Sequence, residues 1–221
     1  FDPEGETRIL EAITFANSNR STDEVRRLVE SMDSTQRSAL LDAYIGRRGN
    51  RRHRPGRAFE RTDYRFELVT DYGAFRDLQR HRLLTIEWQP LSAELGYDIP
   101  ELIVEAGLSD EYRATMERSR ELYDAMLPNF PHQAQYAVSL AYRIRYVMQM
   151  NAREAMHLIE LRSGPQGHPS YRRVAQEMHR QIADVAGHRA IADAMIYVDH
   201  GDIDLERLEA ERAAERARNQ R

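Results

Sequence analysis

The run Tyr64-Arg65-Phe66-Glu67-Leu68 alternates apolar and charged side chains, the period of a half-buried β-strand. The remaining signals are mostly helical, so the fold must join strand to a helical majority. The class is α+β, helix-rich, with a small antiparallel or mixed sheet. Residues 4–16 read as a helix, and STDEVRRLVESM follows, where Ser21 or Thr22 caps and Asp23 and Glu24 suit the positive end of the dipole. Ser34 opens a further helix that Gly46 closes. After the strand, Gly73 marks a break, a helix runs into LQRHRL, and Ile86 to Tyr97 is extended or irregular, with Pro90 and Gly96 as breakers. The periodicity then predicts helices over residues 110–126, 132–149, 151–162, 169–186 and 188–197. Residues 1–200 read as a single domain and 201–221 as a charged helix or tail.

Composition narrows the function classes. The 221 residues hold no apolar run near the ~18 to 20 residues that a membrane span requires, which implies a soluble chain. With no Cys there are no disulfides and no thiolate metal sites, and no signal peptide is visible; both fit a cytoplasmic location. The chain opens on Phe1, which suits a fragment, a processed product or half of a longer two-copy chain. All 32 basic residues are Arg, whose rigid fork suits phosphates and carboxylates. A net charge of −4 argues against a generic nucleic-acid coat protein.

Three stretches bear chemistry. In LQRHRLLTIEW a helix would carry Arg82 on the stripe of Phe75 and Leu78, where a guanidinium needs an anion. That anion is either a carboxylate elsewhere in the chain or the phosphate of a ligand. The loop RRGNRRHRPGR, Arg47 to Arg57, concentrates six Arg and one His, a cluster that is either solvated or clamps an anion. In NAREAMHLIELR, Asn151, Ala155, Leu158 and Arg162 form one stripe, and Arg153 and His157 lie on its neighbour. Glu154 and His157 have the Glu-x-x-His spacing of di-iron bundles, but no second copy exists in the sequence, so no metal is expected. Neither Gly-x-Gly-x-x-Gly nor Gly-x-x-x-x-Gly-Lys occurs. By residue pattern alone, His53, His132, His179, His188 and His200 read as ordinary surface or core residues.

Taken together, Arg80-His81-Arg82, the segment from His53 to Glu60, the strand through Tyr64 and Phe66, and the run from Asn151 to Arg162 resemble the flavin-dependent thymidylate synthases. That family carries R-H-R-x-x-S-x-N-E-x-S-x-R-Y after a His-rich P-F-E-H segment and a strand, followed by N-x-R and then L-R. The order and spacing agree over roughly residues 50–170. The resemblance implies a homotetramer with active sites at subunit interfaces, FAD as cofactor, NADPH and methylenetetrahydrofolate as co-substrates, and a uracil nucleotide, dUMP, as methyl acceptor. The flavin then carries the hard chemistry and no protein nucleophile is needed.

Carried over by position, Arg80, His81 and Arg82 would hold the FAD diphosphate and adenosine. Asn151, Arg153 and His157 would line the flavin, His53 and Glu60 would border it, and His168 or Gln166 would match the His that follows L-R. Arg162 would meet the uracil edge and stabilise charge on the ring as it is attacked. The departures fall on the substrate side. The run after R-H-R is LLTIEWQPLSAELGY: Thr85 stands in for the first Ser, Glu87 matches the family Glu only with one deletion, and the second Ser and its Arg have no counterpart. Gln135 falls where the family's other phosphate-binding Arg would be. Three readings follow: a methyltransferase that grips its nucleotide differently, with Arg143 or Arg145; a structural or regulatory homologue that has lost dUMP; or an Arg-rich loop that binds nucleic acid.

Overall fold

A computed structural model describes residues 1–201 together with Arg212 and Arg216. The tail expected over 201–221 therefore lies almost wholly outside the described residues. The elements run α1 (Gly5–Ala16), α2 (Thr22–Ser31), α3 (Ser34–Ile45), β1 (Asp63–Asp71), α4 (Tyr72–Leu78), β2 (Thr85–Trp88), α5 (Glu101–Glu105), α6 (Ser109–Met126), β3 (Arg143–Asn151), α7 (Ala152–Arg162), α8 (Pro169–Asp184) and α9 (Arg189–Asp193). Two 3-10 turns, Arg57–Arg61 and Ala134–Ala137, complete the order. The α+β class with a helical majority holds, and the sheet has three strands in the order β1-β3-β2. Strands β1 and β3 are antiparallel, bracketed by Tyr72 N to Tyr142 O at 3.0 Å and Ala152 N to Thr62 O at 2.7 Å.

The chain divides into two compact units: Phe1–Phe66 with His81–Thr85 and Gln149 onward, and Glu67–Arg80 with Ile86–Met148. In the first, Ile9, Leu10 and Ile13 of α1 and Val25 and Val29 of α2 are buried. Each of α2 and α3 begins with a reciprocal capping box, Ser21 with Glu24 and Asp33 with Gln36, which satisfies donors that a helix start leaves open. Gly46 ends α3 at a φ of 61°, a conformation that disfavours a Cβ. In the second unit Phe75 of α4 packs edge-on to Tyr146 at 4.8 Å and against Trp88 at 5.6 Å. Buried Tyr142 donates its hydroxyl to the Met116 carbonyl of α6 at 2.8 Å.

Three expected helices are corrected. Residues 132–149 form the 3-10 turn at Ala134–Ala137 and then β3, in which Ile144, Tyr146, Met148 and Met150 are all buried. That alternation, with aromatic and β-branched residues, is a strand period that the flanking apolar residues obscured. The helix after β1 stops at Leu78, with Gln79 as its cap, so R-H-R is not helical. Phe75 and Leu78 are buried as expected, but Arg82 is exposed and His81 is the residue turned inward. The expected helix at 188–197 shortens to α9.

Candidate functional site

Helix α7 starts on the residue that ends β3. Asn151 closes the strand and caps the helix, its side-chain oxygen accepting from Glu154 N at 2.9 Å. Ala155, Met156, Leu158 and Ile159 bury the helix in the first unit, and three charged or polar groups of that helix are drawn in with them. Glu160 is one, Glu154 another, and half-buried His157 the third.

His81 joins the two ends of this helix. Its Nδ1 lies 3.1 Å from Glu154 Oε1, with both side chains 4% exposed. Its Nε2 lies 3.2 Å from Arg162 Nε. A guanidinium only donates, so Nε2 accepts and the ring proton sits on Nδ1, where it donates to the carboxylate. The His157 ring stands edge-on to His81 at 5.5 Å. Burial first, then the positive charge of Arg54, pushes His157 down from 6.5 to about 4, with Glu154 opposing, so at neutral pH it is an uncharged ring. The Arg162 guanidinium also lies over the Tyr171 ring of α8, 5.4 Å from its centroid.

The loop RRGNRRHRPGR is fastened to α7 from below. Arg48 is buried and meets Glu160 with both terminal amines, Nη1 to Oε1 and Nη2 to Oε2, each at 2.6 Å. It also donates to the carbonyls of His53 at 2.6 Å and Ala194 at 2.7 Å. Arg153 reaches from α7 to the Pro55 carbonyl at 2.9 Å and pairs with Glu60 at 3.5 Å. With the loop held this way, Arg51, Arg52 and Arg54 form no ion pair among the described residues, and neither does Arg82. Arg51 is partly desolvated, which pulls it below its ordinary value; Glu160 opposes, and Arg52 and Arg54 add to the lowering.

His81, Glu154 and His157 bring three ligand atoms within 4.8 Å of one another, the grouping that Glu-x-x-His alone lacked. The donor set is nonetheless poor for a cation. His81 uses Nδ1 as a donor and Nε2 as an acceptor from a guanidinium, and Arg51 and Arg54 act on the same neighbourhood with positive charge.

Residues 2–187 match the thymidylate synthase complementing protein family. The chain belongs to that family. Relatives include a UPF0159 protein of Chlamydia muridarum, 36% identical over 210 residues, and one of Thermoplasma acidophilum, 42% identical over 185 residues. The first alignment covers 95% of this chain and 39% of that protein; the second covers 83% and 37%. The chain thus spans about two fifths of the length of these relatives. Among solved structures, that of a UMP/dUMP methylase PolB from Streptomyces cacaoi bound with 5-Br dUMP superposes with a TM-score of 0.65. It covers 85% of this chain and 90% of that one at 16% identity, which establishes a shared fold.

In this thymidylate synthase complementing protein homologue, the residues expected to act together sort into groups. His81, His157 and Arg162 are brought together, with Glu154 as a member that the sequence suggested only as a metal ligand. Arg153 and Glu60 form a second pair. Asn151 has its oxygen engaged in the cap, and His168 caps α8 by accepting from Ser170 N at 3.3 Å. His53 folds back on its own loop, Nδ1 accepting from Gly49 N at 3.2 Å and Nε2 3.0 Å from the Asn50 amide. In the second unit, Arg80 pairs at the surface with Asp77 at 3.5 Å, and Glu87 is exposed on β2. Gln135 accepts from Leu91 N at 2.9 Å and donates to the His132 carbonyl at 3.3 Å, so its amide is engaged in the fold.

Proposed function

We propose that this chain is a nucleotide-methylating unit of thymidylate synthase type that binds FAD and presents Arg162 to a uracil nucleotide. The observation that carries the reading is Arg162, anchored through Nε to a buried neutral imidazole and over an aromatic face, in a chain of this family. A guanidinium held in that way offers fixed positive charge to a carbonyl that gains electron density on attack. The residues fit a dinucleotide in one respect that the fold does not otherwise explain: Arg51, Arg52, Arg54 and Arg82 form no ion pair with a described carboxylate. When bound, FAD supplies the hydride chemistry, with NADPH and methylenetetrahydrofolate as co-substrates. Arg82 and the Arg loop would then hold its phosphates, with uncharged His157 against the ring system. A homotetramer belongs to the same reading, and exposed Phe130, Tyr136 and Leu140 suit a contact surface.

A second reading, a homologue that has lost dUMP, is favoured by the substrate side. Arg143 is engaged by Asp98 and Arg145 by Glu67, Gln135 is bound into the fold, and the run after R-H-R lacks the second Ser and its Arg. One experiment separates the two. The purified protein is titrated with FAD, its flavin spectrum recorded, and dUMP added. The first reading expects a yellow protein whose spectrum dUMP shifts; a yellow protein indifferent to dUMP selects the second, and a colourless one that refuses FAD overturns both. Arg82→Ala is expected to weaken FAD retention and leave apo stability unchanged, since Arg82 is exposed and pairs with no described carboxylate.

A further inference from the structure

We infer that Glu154 is a positioning residue for Arg162, acting through His81. Resting on the proposed role of Arg162, this assigns a function to a buried carboxylate that the sequence marks only through its Glu-x-x-His spacing with His157.

Burying Glu154 is unfavourable unless its charge is met, and the polar neighbour that meets it is the Nδ1–H of His81, since its own backbone N–H is already given to Asn151. That bond has a directional consequence. With the proton on Nδ1, the opposite nitrogen has a lone pair, and Arg162 Nε–H is placed against it. If the proton moved to Nε2, two N–H groups would face one another at 3.2 Å and Arg162 would be driven away. The carboxylate therefore sets a tautomer, and the tautomer sets a guanidinium. Arg162 and Glu154 are two turns apart on one helix, about 12 Å along its axis, and an imidazole from outside the helix spans the gap between their side chains. The Tyr171 ring, 5.4 Å from the guanidinium carbon, limits rotation about the remaining bonds. Together the Nε anchor and the aromatic face fix the plane of the guanidinium, which decides how a planar carbonyl or carboxylate-like edge is met.

The test uses the full chain with Glu154→Gln, in which a neutral amide can either accept from Nδ1–H or donate to Nδ1. Nitrogen-15 NMR reports the His81 tautomer, and hydrogen exchange of the Arg162 Nε–H reports its anchor; both are read without ligand. The wild type is expected to show Nδ1–H and a slowly exchanging Arg162 signal. Glu154→Gln is expected to mix the tautomers, speed exchange and weaken dUMP binding by about tenfold or more, with FAD content retained. His81→Asn, whose amide is too short to reach both partners, is expected to speed Arg162 exchange with Glu154 intact, and covers the case in which Glu154→Gln does not fold. An unchanged tautomer and unchanged exchange would overturn the inference. So would changes in both with dUMP affinity untouched. If the wild type binds no dUMP, the proposed activity fails, while the tautomer and exchange measurements still decide whether Glu154 holds Arg162 through His81.

Discussion

Replacing Glu160 by Gln changes almost no volume and removes one charge from the most enclosed ion pair described. The Arg48 and Glu160 side chains are 2% and 0% exposed, and their two parallel contacts are each 2.6 Å. In Glu160→Gln one oxygen still accepts from Nη1, but an amide NH2 faces the Nη2 donor, and a buried guanidinium loses its counter-charge. Breaking such a pair from one side costs about 3 to 5 kcal/mol. For a chain of 221 residues that corresponds to a melting temperature lower by about 6 to 20 °C. The assay is thermal and urea unfolding of the variant beside Glu177→Gln, which breaks a pair whose partners are half exposed and should shift stability by under about 1 kcal/mol. Arg48→Lys keeps the charge but loses the fork and should fall between the two. A loss in Glu160→Gln no greater than in Glu177→Gln would refute the argument, because it would mean that water reaches Arg48 and that the loop is not fastened through this pair.

Two further outcomes follow from packing and titration. A Cβ at Gly5 would stand 2.5 Å from His188 Cε1 and 2.6 Å from Thr62 Cγ2, so Gly5→Ala should destabilise by about 1 to 3 kcal/mol in urea unfolding. His157 is held neutral in the fold down to about 4 but takes a proton near 6.5 when unfolded, so its share of stability is present above 6.5 and is lost as pH falls towards 4. In that window His157→Gln should give a shallower decline of stability with acidification than the parent; an identical slope in both would sink the assignment.

Much of the fold is written in local signals. The Ser21 cap of α2, the glycine after α3 and the alternation in β1 each depend on residues within a few positions and formed where expected, whereas α3 is capped by Asp33, one residue before the Ser34 expected to open it. The strand β3 was legible in principle, since Ile144, Tyr146, Met148 and Met150 alternate, but apolar neighbours on both sides let a helical period fit as well. The R-H-R segment misled for a related reason: spacing from Phe75 to Arg82 has meaning only while the helix continues, and it ends at Leu78. For the site, the residue types at 81, 157 and 162 were suggestive, but their meeting was not. A contact between positions 73 residues apart, as in His81 with Glu154, depends on how α7 lies in its unit, and no local pattern encodes that. Glu154 was hidden for the same reason, because an acid in the first turn of a helix ordinarily faces water.

The junction of β3 and α7 has a consequence for how such a chain can vary. One residue, Asn151, ends the strand and caps the helix, so no loop lies between them to absorb a change in length. An inserted residue at this point would turn α7 by about 100° relative to the strand and carry Glu154, His157 and Arg162 off together. Substitution is open to descendants here; insertion and deletion are not. The stretches RRGNRRHRPGR and SGPQGHP, which flank the same helix in space or in sequence, are where length can drift. The family's lineages are thus expected to differ in loop length around a strand-to-helix step whose spacing stays fixed.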